Sequence, residues 1–333
     1  MKKVKQITLA ARPKGMPDAS IFRFDEVVLP EVKEGELQLK GLYYSVDPYM
    51  RGRMNDVKSY VAPFKVDHAL EGGVVAEVLE SKDGAFAPGD LVLGPYLPWA
   101  TEFVVPASTV KKIDTSLAPP SYFLGALGMP GLTAYFGLRD IGKPKPGETL
   151  VVSGAAGAVG LVAGQLGKHL GLRVVGIAGS GEKVKMLKEA YGFDEALNYN
   201  TPDLAAQIAK ACPDGVDIYF DNVGGAVTDA VVPNLNFFAR IPLCGQISSY
   251  NNTEPPVGPR IQPTMLTRSI IMQGFIVRNY GGRYAEGIQY LAPLVKTGKI
   301  KFTETVVEGF EKIPEALLGL FSGKNTGKMI VKV

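Results

Sequence analysis

The run Val151-Val152-Ser153-Gly154-Ala155-Ala156-Gly157-Ala158-Val159-Gly160 decides how this chain folds. A short apolar strand over 149–153 enters glycines spaced G-x-x-G-x-x-G, and an apolar helix over 158–170 leaves them. Glycines at such a turn let the backbone tighten and bring its N–H groups up to a pyrophosphate, while the helix N-terminus adds partial positive charge. A glycine triplet alone is weak evidence. Set between a strand and a helix, and followed by more strand–helix units, it marks a dinucleotide site. The stretch from Thr149 to Gly167 carries no charge, but its repeated glycines fit a strand, a turn and a buried helix better than a membrane span.

Downstream, strands are expected at 173–177, 195–198, 217–221, 239–244 and 270–277, with helices at 182–191, 202–211 and 226–235. Alternation in units of about 25 residues implies right-handed crossovers and a parallel sheet. One more helix fits 284–296, and the remainder reads as β-rich, with strands at 303–307 and 329–333. Upstream, residues 1–120 are short apolar or alternating runs (27–29, 36–43, 73–80, 91–93, 101–105) separated by turn signals such as Asp47-Pro48 and Pro88-Gly89-Asp90. That half reads as an irregular β-barrel. After Pro119-Pro120, helices are expected at 122–128 and 132–138. The fold class is therefore α/β plus β, divided at 1–122, 123–296 and 297–333.

The tip of the second strand, Ala178-Gly179-Ser180-Gly181, lacks the acid that holds a ribose diol in NAD sites. Ser180 and Lys183 suit a 2′-phosphate instead, so NADPH is the expected cofactor; Glu182 falls in a first helical turn, where an acid is stabilising anyway. Ligands bind at the carboxyl ends of parallel strands. This places Asn222, in Asp221-Asn222-Val223-Gly224-Gly225, and the segment Cys244-Gly245-Gln246-Ile247-Ser248-Ser249-Tyr250 at the cofactor.

The 333 residues suit two domains. Thirty-six basic against thirty-three acidic residues, a net charge of +3, argue against nucleic acid or an anionic membrane as partner. Lys2, Lys3 and Lys5 precede no secretory apolar region. Cys212 and Cys244 are too few for a disulfide framework, so a cytoplasmic, reducing setting is expected and the sequon at 251–253 reads as coincidence.

Taken together, the glycine turn, DNVGG at 221–225, CGQISSYN at 244–251, QGF at 273–275, GKNTGK at 323–328, YSVDPYMRGRM at 44–54 and LEGG at 70–73 resemble the zinc-independent medium-chain reductases. Within them the chain is most similar to the leukotriene B4 12-hydroxydehydrogenase, prostaglandin reductase and alkenal double-bond reductase group, and to its bacterial curcumin-reductase type. The resemblance covers essentially the whole chain. It implies a GroES-like catalytic domain, a Rossmann domain and a C-terminal return to the first. It also implies NADPH, an α,β-unsaturated carbonyl substrate and a homodimer. By motif, the family's cofactor residues fall on Gly157, Ala158, Val159, Gly160, Lys183, Tyr199, Asn222, on Cys244, Gly245, Gln246, Ile247, Ser248, Ser249 and Tyr250, and on Phe275, Ile276, Val277 and Asn325. Some relatives carry a Tyr shortly before the QGF motif as a proton donor; the matching position is Thr267, so a mechanism leaning on that Tyr does not carry over.

Zinc alcohol dehydrogenases share this architecture. A catalytic zinc needs three protein ligands, and this chain has two Cys and two His. His68 lies near the region where metal-dependent relatives carry a His, but their Cys ligand falls around Val46-Asp47, so no ligand set converges and no metal is expected. Without a Lewis acid, a conjugated alkene is an easier substrate than a plain ketone. Hydride adds to the β-carbon, and a phenol of pKa ~10 can donate to the enolate oxygen without ionising. Tyr250 is the preferred donor, with Tyr49, Tyr44 and the cofactor's ribose hydroxyl as competitors. A quinone reductase, or a non-catalytic NADPH-binding protein, are the alternatives.

Overall fold

The N-terminal alternation of apolar and polar residues becomes antiparallel strands with one buried face. The computed structural model describes residues 2–333. The chain divides into two units, one comprising residues up to Leu124 with 304–325 and 329–333, the other 125–303 with 326–328. In the first unit β1 (Lys3–Leu9) and β2 (Phe22–Val28) form a hairpin. After it come β3 (Glu36–Ser45), the short helix α1 (Met50–Arg53), β4 (Glu71–Ser81), β5 (Leu91–Pro98), β6 (Glu102–Pro106) and β7 (Lys111–Lys112). β3 is the hub: it pairs along its length with β4 and through Glu36–Lys40 with β6. Leu37, Leu39, Val74, Trp99 and Phe103 fill the core beneath.

The second unit opens with α2 (Met129–Phe136), which continues into a π-helical turn over Gly137–Gly142, beyond the expected end at 138. A Cβ on Gly137 would lie 2.5 Å from the Phe275 ring and 2.8 Å from Phe220, so only glycine admits both aromatics. β8 (Thr149–Ser153) is buried at every position, as a central strand covered on both faces must be. α3 (Ala158–His169), β9 (Arg173–Ala178), α4 (Gly181–Glu189), β10 (Glu195–Asn198) and α5 (Leu204–Ala211) come next. The unit continues with β11 (Val216–Phe220), α6 (Gly225–Val231), β12 (Leu235–Leu243), α7 (Gln262–Thr267), β13 (Ile271–Gly274) and α8 (Tyr284–Lys296). The strands lie in the order β10-β9-β8-β11-β12-β13, all parallel. This is the 3-2-1-4-5-6 arrangement of dinucleotide-binding sheets, whose order reverses between β8 and β11. The strand expected at 270–277 stops at Gly274, and a 3-10 segment covers Val277–Arg283.

The chain closes with β14 (Glu304–Glu308), α9 (Ile313–Phe321) and β15 (Lys328–Lys332). β15 pairs with Tyr43–Ser45 of β3 and thus extends the first unit's sheet along the edge that β6 leaves. Sequence reading gave this region strands only; α9 buries Ile313, Ala316, Leu317 and Leu320, a one-faced helical spacing. The helix expected at 122–128 is a 3-10 turn, Pro120–Leu124. Among the described residues no helix is long and apolar enough to cross a membrane, and the charge-free 149–167 stretch is β8, its turn and most of α3.

Candidate active site

The glycine turn has the geometry its spacing implies. Gly154 has φ +60°, and its carbonyl accepts the Gly157 amide at 3.0 Å. A Cβ on Gly160 would sit 2.3 Å from the Gly154 oxygen and 2.7 Å from the Ala155 Cα, so α3 can approach the turn only without a side chain there. α3 has no acid in its first turn, and Lys168 and His169 lie in its last, which leaves the N-terminal positive end for a ligand. Ala158 and Val159 form its opening turn. Gly327 donates its amide to Ala156 O at 2.8 Å and bridges Gly157, tying the GKNTGK motif to the turn. Asn325, two residues earlier, falls in the first unit.

At the tip of β9 the Tyr199 ring lies against Gly179, and Ser180 and Lys183 open the next helix. Ser180 caps α4, its Oγ accepting the Lys183 amide at 3.3 Å, which leaves its own O–H to donate. Tyr199 is 44% exposed, and its hydroxyl lies 2.6 Å from where a Gly179 Cβ would be. Lys183 is half-buried, and loss of solvent pulls its ammonium below the usual lysine range. A partly desolvated cation and two hydroxyls at one strand end suit an anionic group, and no acid stands in Ala178-Gly179-Ser180-Gly181.

The ends of β11 and β12 form the other wall. Asn222 donates its side-chain amide to Ser153 O at 2.7 Å, which fixes it across the β8–β11 crevice. Ile247 and Ser248 donate their amides to Asn222 O and Val223 O, and Ser248 Oγ bonds Val223 O at 2.6 Å. The 244–250 loop is thus strapped onto 222–225. Between this loop and the end of β13 opens a pocket of about 360 Å³ lined by Leu243, Cys244, Gly245, Gln246, Tyr250, Gly274, Phe275, Ile276 and Asn279. Tyr250 Oη accepts the Gln246 amide at 3.3 Å, so its proton is left for another acceptor. Burial pushes its phenol above the ordinary tyrosine value despite that bond, and it stays protonated at neutral pH. Burial also pushes the Cys244 thiol up to about 12, with the Asp221 charge adding to it, so Cys244 is a wall group and no thiolate.

Several residues lie elsewhere. Val277 begins the 3-10 segment after this wall. Tyr44 is fully buried in the first unit's core with its hydroxyl on Ala100 O at 2.6 Å. Tyr49 is in the first unit, where it borders a small cavity with Arg53, Ser59 and Tyr60; burial raises its phenol as well. Thr267 ends α7 with its hydroxyl on Pro263 O. Asp47 accepts a hydrogen bond from Ser45 Oγ. Among the described residues no three His, Cys, Asp or Glu side chains converge to hold a metal. The segment that sequence reading placed at the cofactor includes Gln246, whose amide orients Tyr250; Asn279 on the pocket wall was missed, because it sits at no motif and carries no titrating group.

A family profile for the N-terminal domain of oxidoreductases matches residues 5–113, and one described as zinc-binding dehydrogenase matches 158–293. The chain is 56% identical over 332 residues to the putative NADP-dependent oxidoreductase YfmJ of Bacillus subtilis, spanning 99% of this chain and 97% of that one. It is 46% identical over 330 residues to the NADPH-dependent curcumin reductase of Escherichia coli, spanning 98% and 95%. The crystal structure of CurA from Vibrio vulnificus in complex with NADPH matches with a TM-score of 0.93 at 46% identity, covering 99% of each chain. The chain belongs to the medium-chain dehydrogenase/reductase family, in the group that holds the curcumin, 2-alkenal and prostaglandin reductases.

Proposed function

We propose that this chain is an NADPH-dependent reductase of the conjugated C=C bond in α,β-unsaturated ketones and aldehydes, working without zinc. The observation that carries the reading is Tyr250: a protonated phenol on the wall of the pocket at the carboxyl ends of β12 and β13, its oxygen held by the Gln246 amide. The glycine turn, the acid-free tip at Ser180 and Lys183, and Asn222 fit NADPH. Bound there, the cofactor supplies a hydride to the β-carbon of the substrate. Tyr250 donates a hydrogen bond to the carbonyl oxygen as enolate charge develops, and water protonates the α-carbon. One well-aimed donor of this kind is worth about 10²-fold in kcat. The relatives named for curcumin and 2-alkenal reduction support the substrate class. The zinc-free reading rests on the donor set: among the described residues no three His, Cys, Asp or Glu side chains gather. We also read the chain as a cytoplasmic homodimer.

The test follows NADPH consumption with a conjugated ketone and with a quinone, in wild type and Tyr250→Phe, with and without a chelator. The enone should turn over faster than the quinone, the chelator should change nothing, and Tyr250→Phe should lower kcat about 10²-fold at unchanged NADPH affinity. Quinone turnover with a silent enone would make the chain a quinone reductase, and NADPH binding without turnover of either a non-catalytic protein. A Phe variant as fast as wild type would move the donor to Tyr49 or the cofactor's ribose.

A further inference from the structure

Asp221 follows β11 and is 1% exposed. Its Oδ1 accepts Ser153 Oγ at 3.0 Å, Tyr219 Oη at 2.9 Å and the amides of Val223 and Gly224 at 3.0 and 2.9 Å; its Oδ2 accepts Thr228 Oγ1 at 2.7 Å. None of these donors carries a charge. Its main-chain oxygen accepts the Cys244 and Gly245 amides at 2.8 and 3.1 Å, and both residues line the pocket. One side chain therefore joins the ends of β8 and β11 to the start of α6, and its backbone adds the end of β12.

Burying a carboxylate without a cation is expensive, and a neutral side chain would tie the strands at less cost. Five donors satisfy its two oxygens instead, and its charge is among the causes that raise the Cys244 thiol and the Tyr250 phenol on the pocket wall. The charge is fixed behind the pocket wall, where the field of an anion is weakly screened. We infer that Asp221 is a positioning residue with a second, electrostatic part: it holds the wall against which the nicotinamide lies, and its negative charge favours the ring in its oxidised, cationic form. This rests on the proposed function, which puts the nicotinamide in that pocket. The balance is simple. Hydride transfer carries two electrons and one proton to the β-carbon, the ring gains one positive charge, the substrate oxygen gains one negative charge, and a solvent proton then reaches the α-carbon. Asp221 takes no part in the proton transfer, and its negative charge faces the new positive one.

The experiment measures dissociation constants for NADPH by fluorescence and for NADP+ by competition, with enone kcat and thermal stability alongside, in wild type, Asp221→Asn and Thr228→Val. Asn keeps an acceptor for the donors on Oδ1 and removes the charge. Asp221→Asn should weaken NADP+ relative to NADPH by roughly 10-fold and lower kcat by a similar factor. Thr228→Val, which keeps the charge and loses one hydrogen bond, should lower stability and leave the NADP+/NADPH ratio unchanged. Adding Thr228→Asp to Asp221→Asn returns a carboxylate to the cluster and should restore the ratio; that double variant also decides the matter if the single one does not fold. An Asn variant that loses both cofactors by the same factor, or a folded double variant with a displaced ratio, overturns the electrostatic part. Wild type that binds no NADPH brings down the proposed function and this inference together; binding with an immobile ratio brings down the inference alone.

Discussion

Lys183 sits at the third position of α4 with its amide on the capping Ser180 and its ammonium half out of water. A 2′-phosphate meeting it gains a charge-assisted hydrogen bond of ~1.5–3 kcal/mol, roughly 10- to 150-fold in affinity. Lys183→Ala should weaken NADPH by about that factor and leave NADH, which lacks the phosphate, untouched. Burial lowers the lysine's pKa, so its proton is lost earlier than usual as the solution turns alkaline. The NADPH advantage should therefore shrink as pH rises through that lowered value, and added salt should narrow it too. Titrating both cofactors into both proteins decides the point, and equal losses for NADPH and NADH would make Lys183 structural. This site was legible in the sequence because it is local: a strand end without an acid, a cap and a lysine within six residues. The Asp221 cluster was not. Its partners Ser153 and Thr228 lie 68 and 7 residues away, and only the sheet brings Ser153 to it.

α3 carries two close glycine contacts of different kinds. A Cβ on Gly160 would strike the backbone of the nucleotide turn, 2.3 Å from Gly154 O, whereas one on Gly164 would strike the Phe193 ring at 2.0 Å. Either overpacking costs about 1–3 kcal/mol. Gly160→Ala should lower both thermal stability and NADPH affinity, while Gly164→Ala should lower stability with the dissociation constant nearly unchanged. Calorimetry with cofactor titration separates the two, and equal affinity losses would show that the whole helix, not its first turn, sets the site. At this scale the alternating units read clearly because each strand is short, apolar and ended by glycine or a polar turn. α9 escaped because Phe310, Pro314 and a nearly continuous apolar run hide its one-sided spacing, which emerges only once Ile313, Ala316, Leu317 and Leu320 are seen packed. The expected helix at 122–128 is instead a 3-10 turn over Pro120–Leu124, and the next residue, Gly125, is packed so closely on the Phe302 ring that a Cβ would meet it at 2.2 Å.

β13 ends the parallel sheet, and its Ile271 is 58% exposed, near Leu266 at 81% and Phe237 and Phe238 at 69% each. An apolar, unpaired strand edge is a liability in a monomer and is commonly closed by a two-fold copy of itself. Sedimentation should give twice the 35.6 kDa chain mass, and Ile271→Lys should shift it toward one chain; a wild type that sediments at the single mass would refute the dimer. The split first unit has a different consequence, which concerns synthesis. Residues 125–303 hold six parallel strands that emerge in succession, and all of that sheet's partners are available before β14 leaves the ribosome. β3 has no such luck: Ser45 waits for Ile330, which follows the whole second unit's sheet, before its edge is closed. The domain translated first is the one completed last, and until then it is β3's open edge that a nascent-chain chaperone would have to shield.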